Sequence, residues 1–176
     1  FTAAIREANR TEGQPALEWL YGRYEGEIFN VSMRKMLVEL LDEAGYRAVA
    51  PALDARFAIR ERRSNWSERH AAFVAGLGTF CLSKSMITVA GSAGRLGSVI
   101  TSLVLPPTPR PYQDIYEYCT RCGVCIVRCP AGAITAGGKD HALCEAFVDG
   151  TKATYHPRYG CGKDQTGVPC ESGIPG

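Results

Sequence analysis

No stretch of this chain approaches the roughly 18 consecutive apolar residues that a membrane-spanning helix requires, so no membrane is expected among its partners. Residues 1–30 carry no secretory leader, and thiols are therefore expected to stay reduced in a cytoplasmic protein. Charge of neither sign is in excess. The 20 Lys and Arg against 18 Asp and Glu leave a net +2, which argues neither for nor against nucleic acid. Histidine is scarce: His70 stands alone, and His141 and His156 have no partner at ligand spacing. There is no Ser–His–Asp set, no GxxxxGK phosphate loop and no repeat covering the chain, which removes three common functional signatures.

Cysteine is what the chain has instead. Cys119, Cys122, Cys125 and Cys129, followed by Pro130, spell C-x2-C-x2-C-x3-C-P, the bacterial iron–sulfur run. A cubane cluster needs thiolates converging from several directions, and two-residue gaps let a looping backbone turn three sulfurs inward. The fourth cysteine of such runs ligates a different cluster, so more cysteines are expected downstream. Cys144, Cys161 and Cys170 are there. Structural zinc would suit one or two C-x2-C pairs, but not a third cysteine and a fourth before proline. Disulfides fit poorly in so crowded a run.

The expected assignment gives a first [4Fe-4S] cluster Cys119, Cys122, Cys125 and the distant Cys170. A second takes Cys129, Cys144 and Cys161, which leaves one position open. Asp164 stands at C-x2-C spacing after Cys161. A carboxylate is a harder ligand than thiolate and binds the cluster less firmly. Three readings stay open here: Asp164 ligates a four-iron cluster, it leaves a [3Fe-4S] cluster, or it is solvated and uninvolved. Backbone N–H groups of Ala131, Gly132 and Ala133 are placed to donate to cluster sulfur. Arg121 and Arg128 flank the run as surface arginines or as contacts for an acidic electron donor. Cys81 fits neither set and reads as a buried inert thiol, or as one facing a cofactor pocket.

Pro106-Pro-Thr-Pro-Arg-Pro111, with four prolines in six residues, is a stiff connector. It divides the chain into an α/β cofactor or substrate domain at 1–105, the connector at 106–111 and a cluster domain at 112–176, an α+β whole. The chain begins at Phe1 and not Met, so a truncated first domain is one reading. Residues 1–30 read as polar and helical with no clear start. Met33, Met36, Leu37, Leu40, Leu41 and Ala44 mark the apolar, core-facing stripe of a helix that Gly45 caps. Tyr46 to Ala50 reads as a strand. Asn65 with Glu68 predicts a helix start, the helix running from Trp66 to about Ala75. Ser85–Ala90 and Ser98–Leu105 read as strands, joined by Gly91–Gly97 as a hairpin loop. Arg56, Arg60, Arg62, Arg63 and Arg69, with Asp54, Glu61 and Glu68 among them, read as a solvated helix face; tRNA binding is the competing reading.

From Trp66 to Pro130 the chain resembles the iron–sulfur family that includes epoxyqueuosine reductase. The residues carrying this are Ser67-Glu-Arg-His-Ala-Ala, Ala75-Gly-Leu-Gly-Thr-Phe, Ser83-Lys-Ser-Met-Ile-Thr, Arg95-Leu-Gly-Ser-Val-Ile-Thr and the four-cysteine run. Tyr159-Gly-Cys161 to Cys170 is similar to the family's second cysteine block. The resemblance implies two four-iron clusters in a ferredoxin-like domain, and a corrinoid (cobalamin) held by a nitroreductase- or corrinoid-binding-like α/β domain, as in the related reductive dehalogenases. It implies a corrinoid pocket around Gly76, Gly78, Cys81, Arg95 and Gly97. It also implies an external electron donor of ferredoxin or flavodoxin type and a small-molecule or modified-nucleoside substrate. The chain departs from the family at Glu61-Arg-Arg-Ser-Asn-Trp66, where the tRNA-modifying reductases carry an aspartate as general acid. It departs again at Asp164, where relatives commonly have cysteine, and at Cys81, where they often have glycine. The expected function is an oxidoreductase relaying single electrons through two clusters; the alternative is an iron–sulfur carrier or regulator with no catalysis of its own.

Overall fold

The computed structural model describes residues 1–176. Five helices, α1 (Ala3–Ala8), α2 (Leu17–Glu43), α3 (Glu68–Val74), α4 (Val124–Val127) and α5 (His141–Tyr155), alternate with eight short strands. The strands are β1 (Ala48–Val49), β2 (Ile59–Arg60), β3 (Arg63–Ser64), β4 (Gly78–Phe80), β5 (Met86–Thr88), β6 (Ile100–Thr101), β7 (Ile134–Thr135) and β8 (Gly138–Lys139). They form four antiparallel ribbons, β1–β6, β2–β3, β4–β5 and β7–β8. The architecture is α+β. Strands of two or three residues are too short to build the layered parallel sheet that an α/β reading of residues 1–105 implies, and none forms. No helix is long and apolar enough to cross a membrane.

Several local expectations are met and several are corrected. The N-terminal helical stretch does have a start, since the Thr2 hydroxyl accepts from the Ile5 N–H and caps α1. Gly45 closes α2 as expected, with the Tyr46 N–H donating to the Leu41 carbonyl at 2.9 Å. The apolar stripe of α2 does not become core. Met36, Leu37 and Leu40 are exposed, and the buried side chains of this helix are Trp19, Leu20 and Arg34. The helix packs on α1 at one end and β1 at the other, and its middle makes polar contacts, Arg34 to Glu68 and Glu27 to Arg95. Asn65 does not start α3. Its amide closes the β2–β3 ribbon by accepting from the Ala58 N–H at 3.0 Å and donating to the Arg56 carbonyl at 2.8 Å, while Ser67 takes the cap. The arginines of 56–63 therefore sit on a ribbon and not on a helix face. Gly91–Gly97 is no hairpin loop either, because β5 pairs with β4 and β6 with β1.

The apolar core is small: Ala72, Phe80 and Met86, with Phe73, Leu96 and Tyr116 packed around them. Hydrogen bonds stitch the cysteine-rich tail to the earlier residues. The Phe80 N–H donates to the Ile115 carbonyl at 2.7 Å, and the Tyr112 hydroxyl joins the Gly78 N–H to the Phe73 carbonyl. Ser92 and Ala93 N–H groups donate to the Cys170 and Glu171 carbonyls. Buried Asn9 donates to the Cys161 carbonyl at 3.0 Å and to Thr166 at 3.1 Å, and accepts from the Ala16 N–H at 3.0 Å. Arg10 holds buried Glu171 through both of its carboxylate oxygens.

Candidate metal centres

The four-cysteine run turns because its loop residues take left-handed backbone. Arg121 and Gly123 both have positive φ, and one turn of helix, α4, follows. The consequence is a sorting of sulfurs. Cys119, Cys122 and Cys125 line one cavity of about 350 Å³, mouth included, and Cys170 arrives there from the tail. Cys129, beyond α4, lines a second cavity of about 290 Å³ with Cys144 of α5 and Cys161. Asp164 is in the wall of both. So the two groups expected from spacing alone are each brought together. Cys81, only 3 % exposed, also lines the first cavity, and its thiol lies 3.2 Å from the Ser83 hydroxyl and 3.4 Å from the Ser85 carbonyl.

The chemistry of these walls fits an iron–sulfur body. All eight thiols are free. Burial pushes the Cys125 and Cys161 thiols up to about 12 and Cys81 to about 11, because a bare thiolate there lacks solvation. Iron would supply the missing positive charge. Donors already aim at sulfur: the Ala133 N–H reaches Cys129 Sγ at 3.3 Å and the Ser92 hydroxyl reaches Cys170 Sγ at 3.7 Å.

Two cations beside the second cavity make the same point from the other side. Lys163 is 1 % exposed, and its Nζ donates only to neutral oxygens: the Asn9 carbonyl at 3.1 Å, the Thr11 carbonyl at 2.7 Å and the Thr11 hydroxyl at 3.2 Å. Arg128, expected as a surface arginine, is instead pinned on the Lys163, Asn9 and Thr11 carbonyls. Neither belongs to any of the ion pairs in the structure. A buried charge without a partner is costly. An anionic group bound between Cys129 and Cys161 would supply the counter-charge this arrangement lacks. Sequence reading missed Lys163 and Lys139. The one signal for Lys163 was a lysine lodged between Cys161 and Asp164 in a tail of small residues. Lys139 had no signal, since only the fold of β8 carries it to Asp164, at 3.2 Å.

The remaining expected site residues do not join these cavities. Gly76 abuts the Pro109 carbonyl and Gly78 lies against Ile87 inside the β4–β5 ribbon. Gly97 is covered by Asn30 and Arg34. Arg95 is committed to Glu27. Of the five arginines at 56–69, Arg56 pairs with Asp54, Arg62 with Glu145, and Arg69 donates to the Lys84 carbonyl.

Comparison with known proteins agrees with the thiol geometry. Residues 112–135 match the 4Fe-4S binding domain. The chain is 35% identical over 119 residues to proteins named epoxyqueuosine reductase from Bacillus anthracis and Bacillus cereus, a match covering 61% of this chain and 30% of each relative. An uncharacterized protein encoded in the gldA 3' region of Geobacillus stearothermophilus is 36% identical over 70 residues, covering 39% of this chain and 31% of that relative. No solved structure matches. The chain thus spans about 30% of the length of the curated reductases it matches. It carries an iron–sulfur domain and is related to the iron–sulfur family that includes epoxyqueuosine reductase.

Proposed function

We propose that the chain is an iron–sulfur oxidoreductase module that relays single electrons through two adjacent clusters. Cys119, Cys122, Cys125 and Cys170 would hold the first; Cys129, Cys144 and Cys161 would hold the second. The observation that carries this reading is the sorting of seven thiols into two cavities that share one wall residue, Asp164. When bound, the clusters supply one-electron storage. The residues do the rest. Ala133 N–H and Ser92 O–H would reduce the charge on their sulfurs, and Lys139 in the second wall, with buried Lys163 close to Cys161 in the chain, would hold a positive field there. Cys122 is the exposed thiol of the set and marks the edge where an electron enters. Beside it, Arg121 and Lys84 gather over the Tyr116 ring, a cationic edge suited to an acidic ferredoxin or flavodoxin.

The corrinoid implied by the resemblance finds no cradle in Gly76, Gly78, Arg95 and Gly97. A neighbouring group already covers each glycine, and the arginine is paired. The name of the relatives points to a modified nucleoside as the substrate class. Reduction of such a substrate by the intact protein rests on that name alone. A second reading, a carrier with no catalysis of its own, is favoured by Glu61-Arg-Arg-Ser-Asn-Trp66, which has no aspartate where the tRNA-modifying reductases carry a general acid.

Anaerobic purification with iron, sulfide and cobalt measured together tests the reading. Iron and sulfide in equal amounts, at about eight per chain, are expected for two four-iron clusters. Zinc, or no metal, in a colourless sample would overturn it. Cobalt bound in proportion to protein would restore the corrinoid.

A further inference from the structure

The second cavity has three thiols, and a cubane offers four irons. The first has four thiols with Cys81 in addition. Asp164 is the remaining hard donor in the second wall. It follows Cys161 at the spacing that separates Cys119 from Cys122. It is not a solvated aspartate, because its side chain is 14% exposed. Lys139, itself 16% exposed, donates to Oδ2 at 3.2 Å, the largely buried Arg69 guanidinium acts on the same carboxylate through space, and no hydrogen bond reaches Oδ1. The local charge also calls for it. Lys139 and Asp164 are the charged residues of this wall, and buried Lys163 sits between Cys161 and Asp164 in the chain.

We infer that the second cavity holds a site-differentiated cluster, with Cys129, Cys144 and Cys161 on three irons and the Asp164 carboxylate on the fourth, which is the exchangeable one. The inference rests on the two-cluster reading above. Lys139 is a positioning residue here: it orients the carboxylate and, by sharing its charge, weakens its hold on iron. Oxygen is already the harder, weaker donor toward this iron, so under oxidation the fourth iron leaves first. The step balances with ferricyanide as oxidant. One electron passes from the four-iron core to ferricyanide, the Fe–O bond to Asp164 breaks, one ferrous ion departs, and a three-iron core stays on the three thiolates.

The test uses the full chain, reconstituted without air. The wild type treated with one equivalent of ferricyanide should lose about one of its roughly eight irons and gain the EPR signal of a three-iron centre. Ferrous iron with a reductant should reverse both changes. Asp164→Cys should lower that signal at least tenfold under the same treatment. Asp164→Ala should hold about one iron fewer before any oxidant is added, its three-iron core reduced, and should give the signal on one-electron oxidation with no further loss of iron. A measurement that needs no variant is exchange with isotopic ferrous iron followed by Mössbauer spectroscopy. The label should enter one iron of the second cluster, with the parameters of an oxygen-ligated site. A wild type and an Asp164→Cys variant that form three-iron centres equally, or a label spread over all irons, would overturn the inference and leave the two-cluster reading standing. A chain that binds no iron and sulfide would end both.

Discussion

Gly162→Ala should be among the most damaging single-methyl changes in this chain, and the structure says why in two separable parts. Gly162 follows Cys161 with φ of +67°, and a Cβ there would overlap Cε2 and Cζ2 of the Trp19 ring. An alanine in left-handed backbone costs about 1–2 kcal/mol. Overpacking a filled site costs about 1–3 kcal/mol more. Trp19 cannot swing aside cheaply, since it is 2 % exposed and the Phe1 ring lies 4.6 Å away, edge-on. The sum, about 2–5 kcal/mol, is a large share of the 5–15 kcal/mol typical of a whole domain. Gly13→Ala isolates the backbone part, because Gly13 has φ of +72° and nothing within 4 Å. Gly94→Ala, also with open space around it, should be close to neutral. The assay is anaerobic guanidinium unfolding of the iron-loaded protein, followed by tryptophan fluorescence and by cluster absorbance. Bound clusters break two-state behaviour, so midpoints are compared and not extrapolated energies. Cluster absorbance should fail first in Gly162→Ala, because the displaced residue is the neighbour of a ligand. A Gly162→Ala midpoint equal to that of Gly13→Ala would refute the packing argument.

Asn9→Ala removes a fully buried side chain that serves the Cys161 carbonyl, Thr166 and the Ala16 N–H. Unmade buried hydrogen bonds cost about 1–3 kcal/mol, so a lower unfolding midpoint and faster iron release to a chelator are expected. Lys163→Met deletes a buried cation beside the second site, and the reduced cluster carries more negative charge than the oxidised one. Its potential should fall by on the order of tens of millivolts in an EPR-monitored redox titration, and an unchanged or higher value would count against the charge argument. Stripping the iron should unfold the tail. Of 176 residues only 27 are buried, and α5 buries only Thr151. Circular dichroism and amide exchange should then show α4 and α5 lost, whereas an α5 still protected without iron would mean that the fold holds without its clusters.

The thiol sorting was legible in the sequence because covalent spacing does most of the work. Three cysteines two apart turn together in one loop, and Cys129, one helical turn further on, is carried to the other cavity. The apolar stripe of α2 misled for a complementary reason. Period 3.6 reports which side chains share a face, not whether anything packs there, and in this structure the face with Met36 and Leu40 meets no partner. Asn65 misled because an amide that caps a helix is equally able to close a ribbon. Arg95 and the glycines at 76, 78 and 97 were motif positions whose long-range partners, Glu27, Pro109, Ile87 and Asn30, lie outside any motif.

Charge explains why the second site, rather than the first, repays closer attention. At the first cavity four thiols stand together, and buried Cys81 beside them has its thiol against the Ser83 hydroxyl and the Ser85 carbonyl. The second has three thiols, with Lys139 in its wall paired to Asp164 and buried, unpaired Lys163 two residues after Cys161. Cations would destabilise an empty cavity of neutral thiols, since burial already draws the Lys163 ammonium below its ordinary 10.5. They stabilise an anionic cluster in the same place. On the two-cluster proposal the same residues would oppose the iron-free fold and favour the loaded one, and the expected outcome is a chain that depends on metal for its shape.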